Sequence, residues 1–359
     1  MNLSGCKLVS LSVAIGAVSV FGSAARAQAP TVKVDGSSTV FPVAEAVAEE
    51  FQKAKKDAVK VTVGIKGTGG GFKAFARGET DVSNASRPIS KEEMKACKEA
   101  GIEYIELPIC FDALTVAVNP KNDWVSSITI DELKKIWEPS AQGKITHWNH
   151  VRPEWPAEKI VLFGAGSDSG TFDYFTEAVC GKAKASRGDF TPSEDDNVLV
   201  TGIEGNKYAL GYIPFAYYEP HKAKMKALAI EWPKNSVKTP VLPSMENVLK
   251  GAYNPLSRPL FMYVNKKSAD KTEVKEYVEF FLKEGARLAQ EVKYLPLPAA
   301  AYATGMKRFT DRQVGTGFGG VPEVGLTIEE LLKRTPVSEA KEAKSEGGAE
   351  PAPAAAPKK

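Results

Sequence analysis

Histidine and cysteine are scarce in this chain of 359 residues, which contains 3 histidines and 4 cysteines. The cysteines lack metal-ligand spacing, so they do not indicate a zinc or iron–sulfur site. His147 and His150 lie in a stretch rich in tryptophan, where packing is a commoner role than catalysis or metal binding. With so few candidate bases, chemistry that depends on an activated hydroxyl has little support in the sequence.

Strong net charge is also absent. Lys and Arg number 47 against 44 for Asp and Glu, which gives a formal charge of +3. Lys7 and Arg26 belong to the N-terminal segment described next, and their removal brings the chain closer to neutral. A near-neutral chain lacks the basic surface that nucleic-acid binding requires, so nucleic acid is not expected as a partner.

Long apolar runs are missing except near the N-terminus, where Lys7 precedes a run over residues 8–25. The small residues of Ala25-Arg26-Ala27 match a signal-peptidase site, which predicts a secretory signal peptide over residues 1–27 and a periplasmic protein. A retained membrane anchor is the weaker alternative, because the run is rich in Ser, Gly and Ala. Cys6 precedes the run, so a lipid-modified cysteine is not expected.

The remaining cysteines and the C-terminal composition suggest no function. Cys97 and Cys110 could form a disulfide in an oxidising compartment and leave Cys180 as a thiol, but three independent buried thiols are equally compatible with the sequence. Residues 337–359 consist mostly of Ala, Glu, Lys, Gly and Pro. Such a segment buries too little apolar surface to offset its ordering entropy, so we expect a disordered tail.

Three segments share one construction, a short strand followed by a small polar loop and the start of a helix. The loops are Ser37-Ser38-Thr39-Val40, Gly67-Thr68-Gly69-Gly70-Gly71 and Ser167-Asp168-Ser169-Gly170-Thr171. Strands alternating with helices predict an α/β fold with mainly parallel sheets flanked by helices. The length favours two domains, the first over residues 28–118 and 260–336 and the second over residues 119–259.

In such folds ligands bind at the carboxyl ends of the strands, which places the three polar loops on the binding edge. Helix N-termini offer unpaired N–H groups and a partial positive charge, so together with the hydroxyls they favour an anion. Arg87, at the end of a strand, offers a bidentate fork that fits a tetrahedral oxyanion, although a surface ion pair is an alternative role. The predicted ligand-binding residues are Ser38, Thr39, Val40, Thr68, Gly69, Ser86, Arg87, Asp168, Ser169, Gly170 and Thr171.

An acidic residue beside these loops would allow the site to distinguish between oxyanions. Asp168 and Asp35 are the acceptors available near the loops in sequence. Hydrogen phosphate can donate a proton to such a carboxylate, whereas fully ionised sulfate cannot and would be repelled. Either residue is equally compatible with a plain role in a helix cap or a turn.

Enzyme motifs built from the same residue types are not met. Residues 67–73 lack the Gly-Lys pair and the following hydroxyl of a P-loop, and Phe72 stands where a dinucleotide fingerprint needs its last glycine. Ser167 and Ser169 lack the flanking glycines of a nucleophile elbow. We therefore expect a binding protein without a cofactor rather than an enzyme.

Several motifs together resemble the periplasmic phosphate-binding protein of the phosphate ABC transporter. They are Asp35-Gly36-Ser37-Ser38-Thr39-Val40-Phe41-Pro42, residues 67–72, Ala85-Ser86-Arg87-Pro88 and Asp168-Ser169-Gly170-Thr171. The resemblance covers residues 32–332, nearly all of the mature chain. It implies a two-lobed type II solute-binding protein, a monomer, that closes over inorganic phosphate and docks on an inner-membrane permease.

Two positions depart from the pattern of that family. Ser86 stands where many relatives have an Asp that accepts the phosphate proton, and Ala165 stands where they have an Arg. The resemblance to a variant branch implies that Arg87 supplies the cation from the opposite lobe. Because this Asp is missing, binding of another tetrahedral oxyanion, such as sulfate, molybdate or tungstate, is an alternative to phosphate binding. A secreted hydrolase or adhesion protein on the same fold is a less favoured alternative.

Overall fold

The structure is a computed structural model that describes residues 29–335, except residues 236 and 322. The predicted signal peptide at residues 1–27 and the predicted tail at residues 337–359 lie outside the described residues. Within the described part, none of the helices combines the length and the apolar character needed to cross a membrane.

The described chain alternates strands and helices for most of its length. The strands are β1 (Thr31–Gly36), β2 (Lys60–Val63), β3 (Val82–Ala85), β4 (Tyr104–Ala113), β5 (Thr115–Val118), β6 (Ser127–Thr129), β7 (Val161–Ala165), β8 (Thr191–Ser193), β9 (Ala209–Ile213), β10 (Lys226–Ala227), β11 (Ala229–Glu231), β12 (Ser257–Asn265) and β13 (Leu295–Pro296). The helices are α1 (Phe41–Ala54), α2 (Gly67–Ala76), α3 (Lys91–Glu99), α4 (Ile130–Trp137), α5 (Gly170–Cys180), α6 (Asp196–Gly205), α7 (Phe215–Tyr218), α8 (Met245–Leu249), α9 (Thr272–Glu291), α10 (Ala299–Thr310) and α11 (Ile328–Leu332).

Two sheets divide the described chain into two lobes. The sheet of the first lobe has the strand order β13-β4-β12-β3-β1-β2, and that of the second lobe has the order β10-β5-β9-β7-β8. Strand β1 pairs in parallel with β2 and β3, and β7 pairs in parallel with β8 and β9. The other pairings within these sheets are antiparallel. The predicted α/β architecture is confirmed, but its sheets are mixed rather than mainly parallel.

The chain crosses between the lobes at two adjacent points. Strand β4 ends at Ala113 in the first sheet and β5 begins at Thr115 in the second, so the first crossing lies at Leu114. The chain returns before β12, and the N–H of Leu114 donates to the carbonyl of Leu256 at 2.8 Å. Both crossings therefore precede the expected boundaries at residues 118 and 259. The apolar residues 111–118 continue without a break, so the sequence pattern does not mark the crossing.

Side-chain caps mark the starts of three helices. Ser169 caps α5 by accepting a hydrogen bond from the N–H of Thr171 at 3.1 Å. Thr129 caps α4 and Ser90 caps α3, each with a glutamate completing a capping box. Pro42 lies in the first turn of α1, where its missing N–H is harmless. These caps fix the helix starts that border the space between the lobes.

Residues 67–71, expected as a loop, form the first turn of α2 instead. Gly67 has a φ of +78°, and a Cβ there would lie 2.6 Å from the carbonyl oxygen of Asp168 in the other lobe. Only glycine tolerates both this backbone conformation and this approach. The glycine-rich segment therefore allows the two lobes to come into close contact.

Aromatic packing holds two of these helices against their sheets. Phe72 of α2 packs edge-on against Tyr263 of β12, with ring centroids 4.9 Å apart. Phe175 of α5 stacks on Tyr212 of β9 at 3.8 Å. Both pairs are buried, so each helix has its N-terminus set rigidly at the boundary of the lobes.

No disulfide links Cys110 to another cysteine of the described residues. Cys110 and Cys180 are thiols, so the pairing of Cys97 with Cys110 that the sequence left open is not formed. Burial raises the pKa of Cys180 to about 11 and also raises that of Cys110 well above its ordinary value. Neither thiol has the lowered pKa of a reactive cysteine.

Candidate functional site

Four hydroxyl side chains from both lobes meet at the lobe boundary and form what we term the hydroxyl cluster. Its members are Thr39, Thr68, Ser86 and Thr171, each fully buried. The Oγ1 atoms of Thr39 and Thr171 lie 2.9 Å apart. The Oγ1 of Thr68 lies 3.3 Å from the Oγ of Ser86 and accepts a hydrogen bond from its N–H at 3.1 Å. The structure thus brings together hydroxyls from all the predicted loops.

Arg258 is the cation that contacts this cluster. Its Nη2 donates to the Oγ1 of Thr39 at 3.2 Å and to that of Thr171 at 2.9 Å. Its Nη1 donates to the carbonyls of Ser86 and Gly170, both at 3.3 Å. The side chain is 0% exposed, so its charge acts in a region without bulk water.

Asp112 neutralises Arg258 from the neighbouring strand. Its Oδ2 accepts from Nη2 at 2.9 Å and from Nε at 3.1 Å, and its Oδ1 accepts from the N–H of Phe215 at 3.0 Å. Burial raises the pKa of Asp112, although the guanidinium works against this shift. A buried charge without its partner is costly, so the two side chains are held as a pair.

Neither member of this pair is among the residues predicted from the sequence, although the sequence carries a signal for both. Arg258 lies at the start of an otherwise apolar strand, and Asp112 lies near the end of another. In the structure they are direct cross-strand neighbours in the antiparallel pairing of β12 with β4. Opposite charges in two apolar strands would have indicated a buried ion pair, since lone charges are almost never buried.

Arg87 does not take the position expected for it. Its Nη1 and Nη2 donate to the carboxylate of Glu93 at 2.7 and 2.8 Å, and its Nε donates to Asp173 at 2.7 Å. Nη1 also donates to the carbonyl of Pro88. In this arrangement the fork of Arg87 is occupied by two carboxylates and makes no contact with the hydroxyl cluster, so its role as the cation of the site stays a prediction. Since Asp173 belongs to α5, Arg87 instead joins the lobes.

Asp168 and Asp35 are likewise occupied outside the cluster. The carboxylate of Asp168 pairs with Lys73 at 2.8 Å, and its carbonyl accepts from the N–H of Gly69 at 2.8 Å. Asp35 accepts from the N–H of Gly36 at 2.8 Å and pairs with Lys66. The contacts of Asp168 link the two lobes, so its expected role as the acceptor gives way to an interlobe contact.

The first polar loop is fixed by two tyrosines. The hydroxyl of Tyr217 donates to the carbonyl of Ser38 at 3.0 Å, and that of Tyr294 donates to the carbonyl of Thr39 at 2.5 Å. The N–H of Val40 donates to the carbonyl of Ser37 within the turn. The loop is therefore held so that the Thr39 hydroxyl, rather than the Val40 N–H, meets the second lobe.

Gly170 allows the closest approach of the lobes. A Cβ at this position would lie 2.4 Å from the Oγ1 of Thr68 and 2.6 Å from the Oγ of Ser86. Ser169 is spent on capping α5, and Gly170 is the first residue of that helix, where N–H groups have no partner within the helix. The helix start thus points at the hydroxyl cluster without a side chain in between.

An open cleft of about 580 Å³ lies between residues of the two lobes. Gly69, Lys73 and Arg87 line it from the first lobe, and Asp168 and Asp173 line it from the second. Because these residues also make the interlobe ion pairs, the cleft lies next to the contacts that hold the lobes together.

Comparison with known proteins finds a family model and relatives that each cover most of this chain. A family model described as a PBP superfamily domain matches residues 22–284. Protein SphX of Synechocystis sp. is 51% identical over 305 residues, 85% of this chain and 89% of that protein. The phosphate-binding protein PstS of Staphylococcus saprophyticus is 36% identical over 314 residues, 86% of this chain and 94% of that protein.

Solved structures agree with this grouping. A possible phosphate binding protein from Planctomyces limnophilus has a TM-score of 0.59 and 46% identity, covering 79% of this chain and 99% of that chain. A putative phosphate ABC transporter substrate-binding protein from Clostridium perfringens, solved with bound phosphate, has a TM-score of 0.62 and 28% identity. That match covers 75% of this chain and 100% of the other.

Proposed function

The chain belongs to the PBP superfamily and, within it, to the family of its phosphate-binding relative PstS, and on that premise we propose that it captures inorganic phosphate between its lobes and delivers it to an ABC importer. The phosphate-binding name of its PstS relative and the bound phosphate in the Clostridium perfringens structure support this ligand. The observation that carries the proposal is the buried cluster of hydroxyls from both lobes around Arg258.

In the proposed site, Arg258 and the hydroxyls replace the water around the anion. Removing water from a dianion costs many kcal/mol unless each oxygen regains hydrogen bonds. Charge-assisted bonds from a guanidinium are about twice as strong as neutral ones, which makes Arg258 the strongest single donor. The proposed ligand-binding side chains are Ser38, Thr39, Thr68, Ser86, Ser169, Thr171 and Arg258, with the N–H of Gly170.

Four other residues that were predicted to bind the ligand have different roles in the proposed function. The N–H groups of Val40 and Gly69 bind phosphate only by exchanging the hydrogen bonds they now make. Arg87 and Asp168 hold the lobes together around the ligand through Asp173 and Lys73. The polar contacts between the lobes thus divide into those that bind the anion and those that secure closure.

We further propose secretion to the periplasm, a monomeric state and delivery to a permease of the inner membrane. The signal-peptide pattern at residues 1–27 supports secretion. The transporter named in the Clostridium perfringens structure supports the permease.

Isothermal titration of the chain lacking residues 1–27 with phosphate, sulfate and molybdate tests this function. We expect one phosphate per chain, much weaker binding of the other anions, and no turnover of a chromogenic phosphate ester. Sulfate or molybdate binding that equals or exceeds phosphate binding would assign the site to another oxyanion.

A further inference from the structure

The guanidinium of Arg258 lies over the aromatic ring of Tyr174. Its Cζ is 5.6 Å from the centroid of the ring, which is within the range of a cation–π contact. Tyr174 is 2% exposed and Arg258 is 0% exposed, so the contact is shielded from bulk water. Since such a contact is strongest where both groups have lost their water, the ring stabilises the cation of the proposed site directly.

The hydroxyl of Tyr174 holds the backbone beside the same arginine. It donates to the carbonyl of Ser257, the residue before Arg258, at 2.6 Å and to that of Pro255 at 3.0 Å. Burial raises the pKa of Tyr174 to about 12, so the phenol keeps its proton and remains a donor. The pairing of β12 with β3 begins only at Phe261, beyond this stretch. One side chain of the second lobe thus contacts both the guanidinium and the backbone at the start of β12.

Tyr174 lies on the helix that makes two further contacts with Arg258. It follows Gly170 by four residues and Thr171 by three, so all three lie on one face of α5. The guanidinium donates to the carbonyl of Gly170 and to the hydroxyl of Thr171. These hydrogen bonds hold the edges of the guanidinium, whereas the ring of Tyr174 contacts its face. Edge and face contacts together fix both the direction of the donors and the plane in which they lie.

A segment near the C-terminus also holds Tyr174 in place. The N–H of Gly325 donates to its hydroxyl oxygen at 3.2 Å. This segment is anchored in the first lobe, where the hydroxyl of Thr316 and the N–H of Gly317 donate to Glu106. The hydroxyl of Tyr174 is therefore both a donor and an acceptor, and its bonds join three separate parts of the chain. The orientation of the ring over the guanidinium follows from these fixed bonds.

We propose that Tyr174 is a positioning residue for phosphate binding, which keeps the guanidinium of Arg258 in the plane from which Nη2 reaches Thr39 and Thr171. This inference rests on the proposed function. An arginine side chain has several rotatable bonds, and a donor already held in its binding geometry loses less conformational entropy when the anion arrives. The alternative role for Tyr174 is that of a buried aromatic residue whose hydroxyl simply needs a partner. That role does not depend on the electron density of the ring.

Fluorination of the ring separates these two roles, because fluorine withdraws electrons from the ring face and weakens its attraction for a cation. Isothermal titration with inorganic phosphate compares the wild type, Tyr174→Phe and proteins that carry phenylalanine with one, two or three ring fluorines at position 174. We expect Tyr174→Phe to weaken binding about fivefold, since the hydrogen bond beside Arg258 is lost. Successive fluorines should weaken binding stepwise by a further factor of about ten in total.

Phe172 provides the matched control on the same helix. Its ring is buried and stacks on that of Phe190, with centroids 6.3 Å apart. We expect the same three fluorinated residues at position 172 to change phosphate affinity less than about twofold. Thermal melts confirm folding. If Tyr174→Phe does not fold, fluorinated tyrosines at position 174, which keep the hydroxyl, replace the series, and the same stepwise loss of affinity is expected.

The outcomes separate this inference from the function on which it rests. If phosphate affinity stays constant or rises with fluorination at position 174, Tyr174 does not position Arg258, although phosphate capture stands. An equal loss of affinity in the series at position 172 also overturns the inference, because the effect then comes from the packing of α5. A wild type that binds no phosphate overturns the proposed function, and this inference with it.

Discussion

The hydroxyls of Thr39 and Thr171, one in each lobe, lie 2.9 Å apart, and both accept a hydrogen bond from Nη2 of Arg258. Three elements that are distant in sequence thus converge on one donor nitrogen. A ligand bound here contacts both lobes and the ion pair at once, so its binding is coupled to closure.

We expect Thr39→Val and Thr171→Val each to weaken phosphate binding about tenfold, because each removes one hydrogen bond to a charged ligand. The double variant should deviate from additivity by at least about 0.5 kcal/mol, since the two hydroxyls contact each other and share Arg258. Isothermal titration of all four combinations measures this coupling.

Thr304→Val is the matched control for this cycle. Thr304 is exposed on α10, where its Oγ1 donates to the carbonyl of Ala300. We expect its phosphate affinity to equal that of the wild type. Strict additivity of the two site variants would contradict a shared binding position.

Replacing Arg258 and Arg87 each by lysine tests which of the two arginines supplies the positive charge of the binding site. We expect Arg258→Lys to weaken phosphate binding at least about 100-fold, because an ammonium cannot hold Asp112 and present a fork to both threonines. Arg87→Lys should weaken it less than about tenfold, since the lysine keeps a charge between the two carboxylates and the side chain does not contact the hydroxyl cluster.

Titration with phosphate, with circular dichroism melts to confirm folding, compares the two arginine variants. A greater loss in Arg87→Lys than in Arg258→Lys would restore Arg87 as the cation of the site.

Gly170→Ala should hold the lobes apart. The added Cβ would lie 2.4 Å from the Oγ1 of Thr68 and 2.6 Å from the Oγ of Ser86, closer than real Cβ contacts allow. We expect phosphate binding to fall on the order of 100-fold, and small-angle scattering to show no compaction on adding phosphate.

Gly205→Ala provides a control in the same lobe. A Cβ at this position, the last residue of α6, meets nothing within 4 Å. We expect unchanged affinity and a gain in stability of up to about 1 kcal/mol, because alanine favours a helix over glycine. Normal compaction of Gly170→Ala would show that the lobes do not need this glycine to close.

Glu106 should make stability depend on pH. It is 1% exposed and accepts hydrogen bonds from Tyr263, Thr316 and the N–H of Gly317. Burial raises its pKa above the ordinary value of 4.5. A raised folded-state pKa means that the folded protein binds the proton more tightly than the unfolded chain, so the stabilisation is complete below the ordinary pKa and is lost as pH rises.

Glu106→Gln does not titrate in this range. We therefore expect the melting temperature of the wild type minus that of Glu106→Gln to decrease between about pH 4 and about pH 7. Melting curves across this interval measure the difference. A difference that stays constant or grows with pH would contradict a raised pKa.

The local pattern predicted the elements that carry the hydroxyls. Ser169 caps α5 and Pro42 lies in the first turn of α1, and both features follow from local sequence, because caps and first turns depend on residues close in the chain. Thr39 and Thr171 each follow the carboxyl end of a strand, as the rule for α/β sheets predicts, whereas the structure alone shows that these ends of two different sheets meet. Local chemistry and fold class therefore sufficed for these positions.

The partners of the charged groups could not be predicted in the same way. Arg87 follows the end of β3, and Arg258 lies at the start of β12. The role of Arg87 depends on Asp173 in the other lobe, and that of Arg258 depends on Asp112 in the neighbouring strand. Such partners lie 86 and 146 residues away in the chain. The sequence pattern gives no distance between segments that far apart, so it marks Arg258 and Asp112 as candidates for a buried pair but does not show what Arg87 contacts.

The ion pair of Arg258 and Asp112 lies directly beside the two strands where the chain passes between lobes, which the Leu114–Leu256 hydrogen bond ties together. A group near a pivot moves least when two rigid bodies swing apart. An incoming anion would therefore encounter the fixed guanidinium donors of Arg258 while the two threonines, one in each lobe, are still separated. The anion therefore contacts Arg258 first, and the threonines of the two lobes enclose it in a second step.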